Sequence, residues 1–213
     1  TTLVARYHKK IGNRCHLLLK VWLKGRYTQA KRPSWPWVRG TRMHHERIIQ
    51  NAYYVPDIDQ GIAQFNALWG LGPFFVRRHI EVQNVTYRGA AAELDISAAY
   101  AQSGDLMIEL VTQHNDAPST FRDRFAAHET GFHHVALDFG DHDERVAQFS
   151  VAGFEPVTSF VTSEGRGATF IDTTALLGHV TEIYRVNDSL KQLYVDVRAA
   201  AEGWDGQQLY RDL

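Results

Sequence analysis

From about residue 46 onward the chain is written in short blocks that switch between a strand period of two and a helical period of 3.6. His134-Val135-Ala136-Leu137-Asp138-Phe139 alternates strictly. Val135, Leu137 and Phe139 fall on one face, and His134, Ala136 and Asp138 on the other, as in a strand with one packed face. The same alternation puts His133 opposite His134, so His133 is read as structural. Gln50 to Tyr54 reads alike, with Gln50, Ala52 and Tyr54 on one face. A helix is predicted after each strand. Ile58, Ile62, Phe65 and Trp69 recur at helical spacing and form the expected buried stripe. Asp57 or Asp59 can cap that helix by accepting the free N–H groups of its first turn. Val146 and Phe149 mark the second helix, with Asp141 and Asp143 at its start. Gly70, Gly72 and Pro73 end the first helix, and Gly153 ends the second.

The two blocks are copies. With an offset of 84 residues, Ala52 meets Ala136, and Asp57 and Asp59 meet Asp141 and Asp143. Ala63-Gln64-Phe65 then meets Ala147-Gln148-Phe149. Three further strands are predicted in each copy. In the first they are Phe74–Ile80, Ala92–Ala101 and Leu106–Thr112, with Ser103-Gly104-Asp105 as a hairpin turn. In the second they are Glu155–Thr162, Gly167–Asp172 and His179–Arg185. The expected fold is therefore α+β, two tandem βαβββ modules spanning 43–115 and 131–186. A linker, 116–130, carries a short helix around Phe121 to Ala127. Residues 187–213 form a C-terminal helix and tail, with Leu190, Leu193, Tyr194 and Val197 on its apolar face.

Composition adds limits. The chain has 213 residues, 44% of them hydrophobic and 22% charged, ordinary values for a globular protein with a real core. No segment reaches the roughly 18 consecutive apolar residues of a membrane-spanning helix. A single cysteine, Cys15, excludes an intrachain disulfide and fits a reducing cytoplasm. The net charge of −1 hides an asymmetry: residues 1–42 hold eleven Lys or Arg and no Asp or Glu. Such an arm suits nucleic acid, an anionic membrane surface or a targeting role, but its expected status is a dispensable or misassigned extension. Met43, just before the first strand, stands where a start would fall. No nucleic-acid or membrane partner is expected.

The chemistry lies in the last strand of each copy. Leu106-Met107-Ile108-Glu109-Leu110-Val111 and His179-Val180-Thr181-Glu182-Ile183-Tyr184 each set one carboxylate in an apolar run. A carboxylate in a buried strand is costly unless it is paired or metal-bound. Two at equivalent places have one explanation in a shared divalent cation, which also accepts a Gln oxygen and a His nitrogen. His44, His45, His114 and His128 lie outside the module strands and are read as solvated.

Gly131-Phe132-His133-His134-Val135-Ala136-Leu137 resembles the opening strand of a vicinal-oxygen-chelate module, and so does Gln50 to Asp57. Met107-Ile108-Glu109-Leu110 and Thr181-Glu182-Ile183 resemble the family's closing strands. The resemblance covers about residues 46–186. It implies two modules whose curved mixed sheet surrounds one metal ion, with Gln50, Glu109, His134 and Glu182 as ligands. That set resembles eukaryotic-type glyoxalase I, where the metal is zinc; nickel, cobalt and manganese are alternatives. The implied activity is that of a lyase or isomerase taking a proton next to a carbonyl, with the metal stabilising an enediolate, as in glyoxalase I or methylmalonyl-CoA epimerase. Glu182 is the first candidate for the base and Glu109 the second. The substrate would be a small carbonyl compound or thioester. Arg166 could hold an anionic group on it, Arg77 and Arg78 are rivals for that role, and Tyr54 and Tyr184 could line the cleft. Acyl-CoA epimerases of the family add a middle-strand carboxylate, for which Glu93 or Asp95 would stand. The alternatives are an extradiol-type dioxygenase, which needs two His and one carboxylate on iron, and a metal-free binding protein of the bleomycin-resistance type. Pairing of modules between chains would make a homodimer.

Overall fold

The structure, a computed structural model, describes residues 47–213. The expectations for the basic arm, Met43, His44 and His45 lie outside the described residues. None of the described helices is long and apolar enough to cross a membrane.

The first copy opens with β1 (Ile48–Tyr54) and α1 (Ile58–Trp69) and continues with β2 (Phe74–Arg77). A hairpin of β3 (Val82–Tyr87) and β4 (Ala90–Ala91) comes next, followed by β5 (Ile96–Ser103) and β6 (Leu106–Gln113). The second copy has β7 (Gly131–Leu137), α2 (His142–Val151), β8 (Pro156–Thr162), β9 (Gly167–Ile171), the short α3 (Thr174–Leu177) and β10 (Val180–Arg185). The chain ends with α4 (Asp188–Ala201) and β11 (Tyr210–Asp212).

Caps form where the polar residues predicted them. Asp57 accepts from the Gln60 N–H at 2.9 Å, and Asp141 from the Glu144 N–H at 2.8 Å. Gly70 closes α1 in the left-handed region, at φ 67°, which costs a glycine nothing. The stripe of α1 is narrower than its periodicity suggests. Ile58 and Ile62 are buried, whereas Trp69 is 55% exposed and meets Tyr53 and Phe65 edge-on.

The strand order is β11-β2-β5-β6-β1-β7-β10-β9-β8-β3-β4, one mixed sheet among the described residues. The two copies meet through their opening strands, β1 antiparallel to β7, and each opening strand pairs in parallel with the closing strand of its own copy. The register across these four central strands places the site. Ala52 faces Glu109 on one side and His134 on the other, while Ala136 stands between Gln50 and Glu182. The matched alanines thus separate the matched polar residues, and their small side chains leave room for the larger ones to lean together.

The concave face carries one apolar cluster built on Tyr54, Ile96, Val111, Phe121 and Phe170. α1 packs on the opposite face with Val55, Ile58, Ile62 and Leu110. α4 lays Leu190, Leu193 and Val197 against Phe75 and Met107, which covers part of the concave side.

Four features depart from the expected elements. The β3–β4 hairpin was not predicted, and β3 pairs with β8 of the other copy. Since only four residues, 78–81, separate β2 from β3, the sheet must curl far enough to bring its two flanks together. The linker contains a series of turns instead of a helix, with Phe125 N–H on the Phe121 carbonyl at 2.9 Å. β11 adds to β2 in parallel, and α3 precedes β10.

Candidate metal centre

Glu109, His134 and Glu182 converge on the concave face. One ligand atom from each lies within 4.8 Å of the others, and all three residues are buried. His134 Nε2 stands 3.2 Å from Glu109 Oε2 and 3.1 Å from Glu182 Oε2. Without a metal ion the imidazole takes the cation's part. Burial works to discharge it, but the two carboxylates outweigh burial and raise its pKa to about 9. Burial also raises the Glu109 pKa. Two carboxylates and an imidazole in a dry place are a donor set suited to a borderline divalent ion.

The orientation of His134 is set by its neighbour. His133 Nε2 lies 3.1 Å from the Thr120 carbonyl, which can only accept, so this nitrogen carries the proton. Burial holds the His133 pKa well below the usual range, so the ring is neutral and its Nδ1 accepts. The partner of that Nδ1, at 2.8 Å, is His134 Nδ1, which therefore donates. His134 Nε2 is left to face the carboxylates. A ligating histidine is commonly held in this way through its other nitrogen.

This corrects the reading of His133. Alternation puts it across the sheet from His134, yet the two rings touch. The β1–β7 register skips from Ala52↔His134 to Tyr53↔Phe132, leaving His133 as the extra residue of a bulge. A bulge re-aims a side chain, and periodicity cannot reveal one.

Gln50 is fully buried on the same face. Its amide oxygen accepts from the Tyr184 hydroxyl, and the Tyr194 hydroxyl lies 3.2 Å away. The structure thus gathers three of the four expected ligands and shows the fourth engaged by tyrosines. Tyr194 belongs to α4, outside the stretch that resembles the modules. Only its place on the apolar face of the predicted helix hinted at a role. Tyr100 stands opposite Glu109 in the β5–β6 ladder, and burial pushes its hydroxyl well above the usual range.

A pocket, partly open to solvent, sits over these groups. Glu109, His134 and Glu182 form its polar floor, Ile80, Ile96, Phe160 and Phe170 part of its apolar walls, and Arg77 and Arg166 a cationic side. Tyr184 also lines it. Tyr54 does not. Its ring stacks on Phe125 at 5.4 Å, and its hydroxyl accepts from Arg122 at 2.5 Å. Arg78 points away, to Asp59 at 2.7 Å.

Glu93 is exposed and Asp95 belongs to a second group, so neither supplies a carboxylate to the cavity. Asp95, His79 and His114 gather on the surface, with His79 Nδ1 2.8 Å from Asp95 Oδ1. The His79 and His114 rings stack at 4.2 Å, and His114 Nε2 meets Ser97 Oγ at 2.7 Å.

No curated protein matches the chain in sequence. Among solved structures, the methylmalonyl-CoA epimerase of Mycobacterium tuberculosis is similar at 14% identity and a TM-score of 0.46, over 68% of this chain and 91% of that one. A hypothetical protein of Bacillus halodurans C-125 shares 16% identity at a TM-score of 0.45, over 68% and 97%. A variant methylmalonyl-CoA epimerase of Streptomyces coelicolor, in complex with 2-nitronate-propionyl-CoA, shares 18% at a TM-score of 0.43, over 65% and 92%. The family model described as "Glyoxalase/Bleomycin resistance protein/Dioxygenase superfamily" matches residues 49–171, more than half of the chain. The protein belongs to this vicinal-oxygen-chelate superfamily.

Proposed function

We propose that this protein is a metal-dependent enzyme of the lyase or isomerase type that moves a proton on a carbon next to a carbonyl. The observation that carries the proposal is the meeting of Glu109, His134 and Glu182 at the floor of an apolar cavity. In this reading the three residues hold a divalent ion, with Gln50 as a fourth ligand once its oxygen leaves the tyrosines. Zinc suits the donor set, with nickel, cobalt or manganese as alternatives. The bound ion supplies Lewis-acid stabilisation of negative charge on the substrate's carbonyl oxygen.

The chain's own residues do the rest. Glu182 accepts the substrate proton. Glu109 is its partner and second candidate. Tyr100 and Tyr184, whose hydroxyls burial keeps protonated, stay available as donors beside the reacting oxygens. His133 keeps His134 in the tautomer that turns Nε2 to the floor. The apolar walls exclude water that would otherwise trade protons with the carbanion.

A dioxygenase reading requires two histidines on one ion, whereas the second histidine here is bonded back to the first and to Thr120. A binding-protein reading has no use for two buried carboxylates.

The test is deuterium exchange at the acidic carbon of 2-oxo acids and acyl thioesters, followed by NMR with zinc-loaded protein. Exchange in the wild type, lost in Glu182→Gln, is expected. Absence of exchange across both compound classes would overturn the reading.

A further inference from the structure

Arg166 follows the turn joining β8 to β9 and is only 8% exposed, unusual for an arginine. One nitrogen of its guanidinium, Nη2, donates to Glu164. Its Nε is buried in the cavity wall and has no hydrogen-bond partner. Thr162 Oγ1 lines the same cavity and is likewise buried without a partner. Arg77, entering from β2, donates to the other oxygen of Glu164 at 2.5 Å. Two guanidinium groups therefore share one carboxylate, leaving a positive charge uncompensated and a buried donor unused.

Glu164 is itself a local carboxylate in a site with capacity for a better one. Its side chain is 42% exposed and sits on the turn closed by the Gly165 N–H on the Thr162 carbonyl at 2.9 Å. It can swing into water at little cost. An arginine binds a carboxylate best through two parallel N–H bonds, and the Nε–Nη2 edge of Arg166 is such a fork. Tyr100 lies within electrostatic reach of Arg77 and Arg166 on one side and of Glu109 and Glu182 on the other. The lining thus combines a cationic pair, a metal-binding group and apolar wall.

We propose that Arg166 and Arg77 form a carboxylate-binding fork, and that the substrate is an acid whose remote carboxylate displaces Glu164 while its carbonyl lies at the floor. This rests on the metal-dependent reading above for the floor, and on the unpartnered, buried Arg166 Nε alone for the fork. The substrate class is then an acyl compound with an apolar spacer and a terminal carboxylate.

Isothermal titration calorimetry of the zinc-loaded full chain tests it. The probes are 2-oxo dicarboxylates of increasing length, each compared with the 2-oxo monocarboxylate of equal length. At one length the dicarboxylate should bind on the order of tenfold tighter or more, as a charge-assisted bidentate contact adds. Arg166→Gln should erase that preference. Should this variant fail to fold, Arg77→Gln and the surface change Glu164→Gln carry the test. Arg77→Gln weakens the preference, and Glu164→Gln strengthens it. Absence of a dicarboxylate preference at every length, or no response to Glu164→Gln, overturns the fork. A preference that persists without zinc supports the fork by itself, whereas 2-oxo monocarboxylates that bind equally with and without zinc count against the metal reading of the floor, so the two fail separately.

Discussion

The protein brings histidine and carboxylate together twice, and the two places differ in one physical respect. Glu109, His134 and Glu182 are buried, with the His134 side chain 1% exposed. His79 and Asp95 have side chains 66% and 40% exposed. At the surface, water solvates the carboxylate and the pair needs nothing further, since exposed ion pairs contribute little. In the cavity, two carboxylates with so little water are tolerable only beside a cation, and the unloaded site protonates His134 to obtain one. Similar donors thus make a hydrogen-bonded surface cluster in one place and a demand for positive charge in the other. Burial and the second carboxylate, more than donor identity, decide which cluster is expected to hold metal.

The sharpest way to break this contrast is to remove the base. Glu182→Gln should lower alpha-carbon exchange by about 10²- to 10⁴-fold, the usual range for a lost general base. Asp95→Asn at the surface should leave the rate unchanged, and NMR of the exchange reaction reads both.

Next in size is the partner of the ligand. His133→Phe keeps a ring in the bulge but removes the acceptor for His134 Nδ1. Zinc affinity, measured by competition with a chelator, should drop about 10- to 100-fold, as for other lost partners of ligating histidines. Ser97→Ala, which removes the equivalent partner of His114, should not alter zinc affinity.

pH sharpens the comparison because the clusters respond with opposite sign. The His134 pKa is raised from 6.5 to about 9 in the metal-free fold. Its contribution to stability is fully present below 6.5 and is lost as pH rises through about 9. His114 is held below its ordinary value by burial and then by His79, so its smaller contribution is lost as pH falls below 6.5. Thermal unfolding of the metal-free protein should therefore move to lower temperature between pH 6.5 and 9, and loading with zinc should remove most of that slope. Zinc uptake near neutral pH should release a proton from His134.

The smallest expected effect is on the surface cluster itself. His79→Ala should change stability by no more than about 0.5 kcal/mol, as surface changes usually do, which chemical denaturation would register.

How far the site was legible depends on the kind of information each residue carries. Glu109 and Glu182 stood out because a charge within an apolar strand violates the strand's own pattern. The family resemblance then joined them to Gln50 and His134, which hold equivalent places in the two opening strands. Alternation failed at His133, because a bulge is a register event between two strands and leaves no mark on one strand's periodicity. Tyr194 was legible as part of an amphipathic helix but not as a neighbour of Gln50, since docking direction is a tertiary property. The β3–β4 hairpin was missed because most of its residues are half or fully exposed and carry little alternation, and β11 is three exposed residues held by pairing alone. Tyr54 shares the correct strand face, yet Arg122 and Phe125 of the linker draw it out of the cavity.

The most direct test of the central claim is zinc stoichiometry by elemental analysis after equilibration with dilute zinc, on the wild type and two variants. One ion per chain, lost in His134→Ala and kept in His114→Ala, is the predicted result. Metal that survives His134→Ala and disappears with His114→Ala would contradict the account, as would a wild-type chain that takes up none.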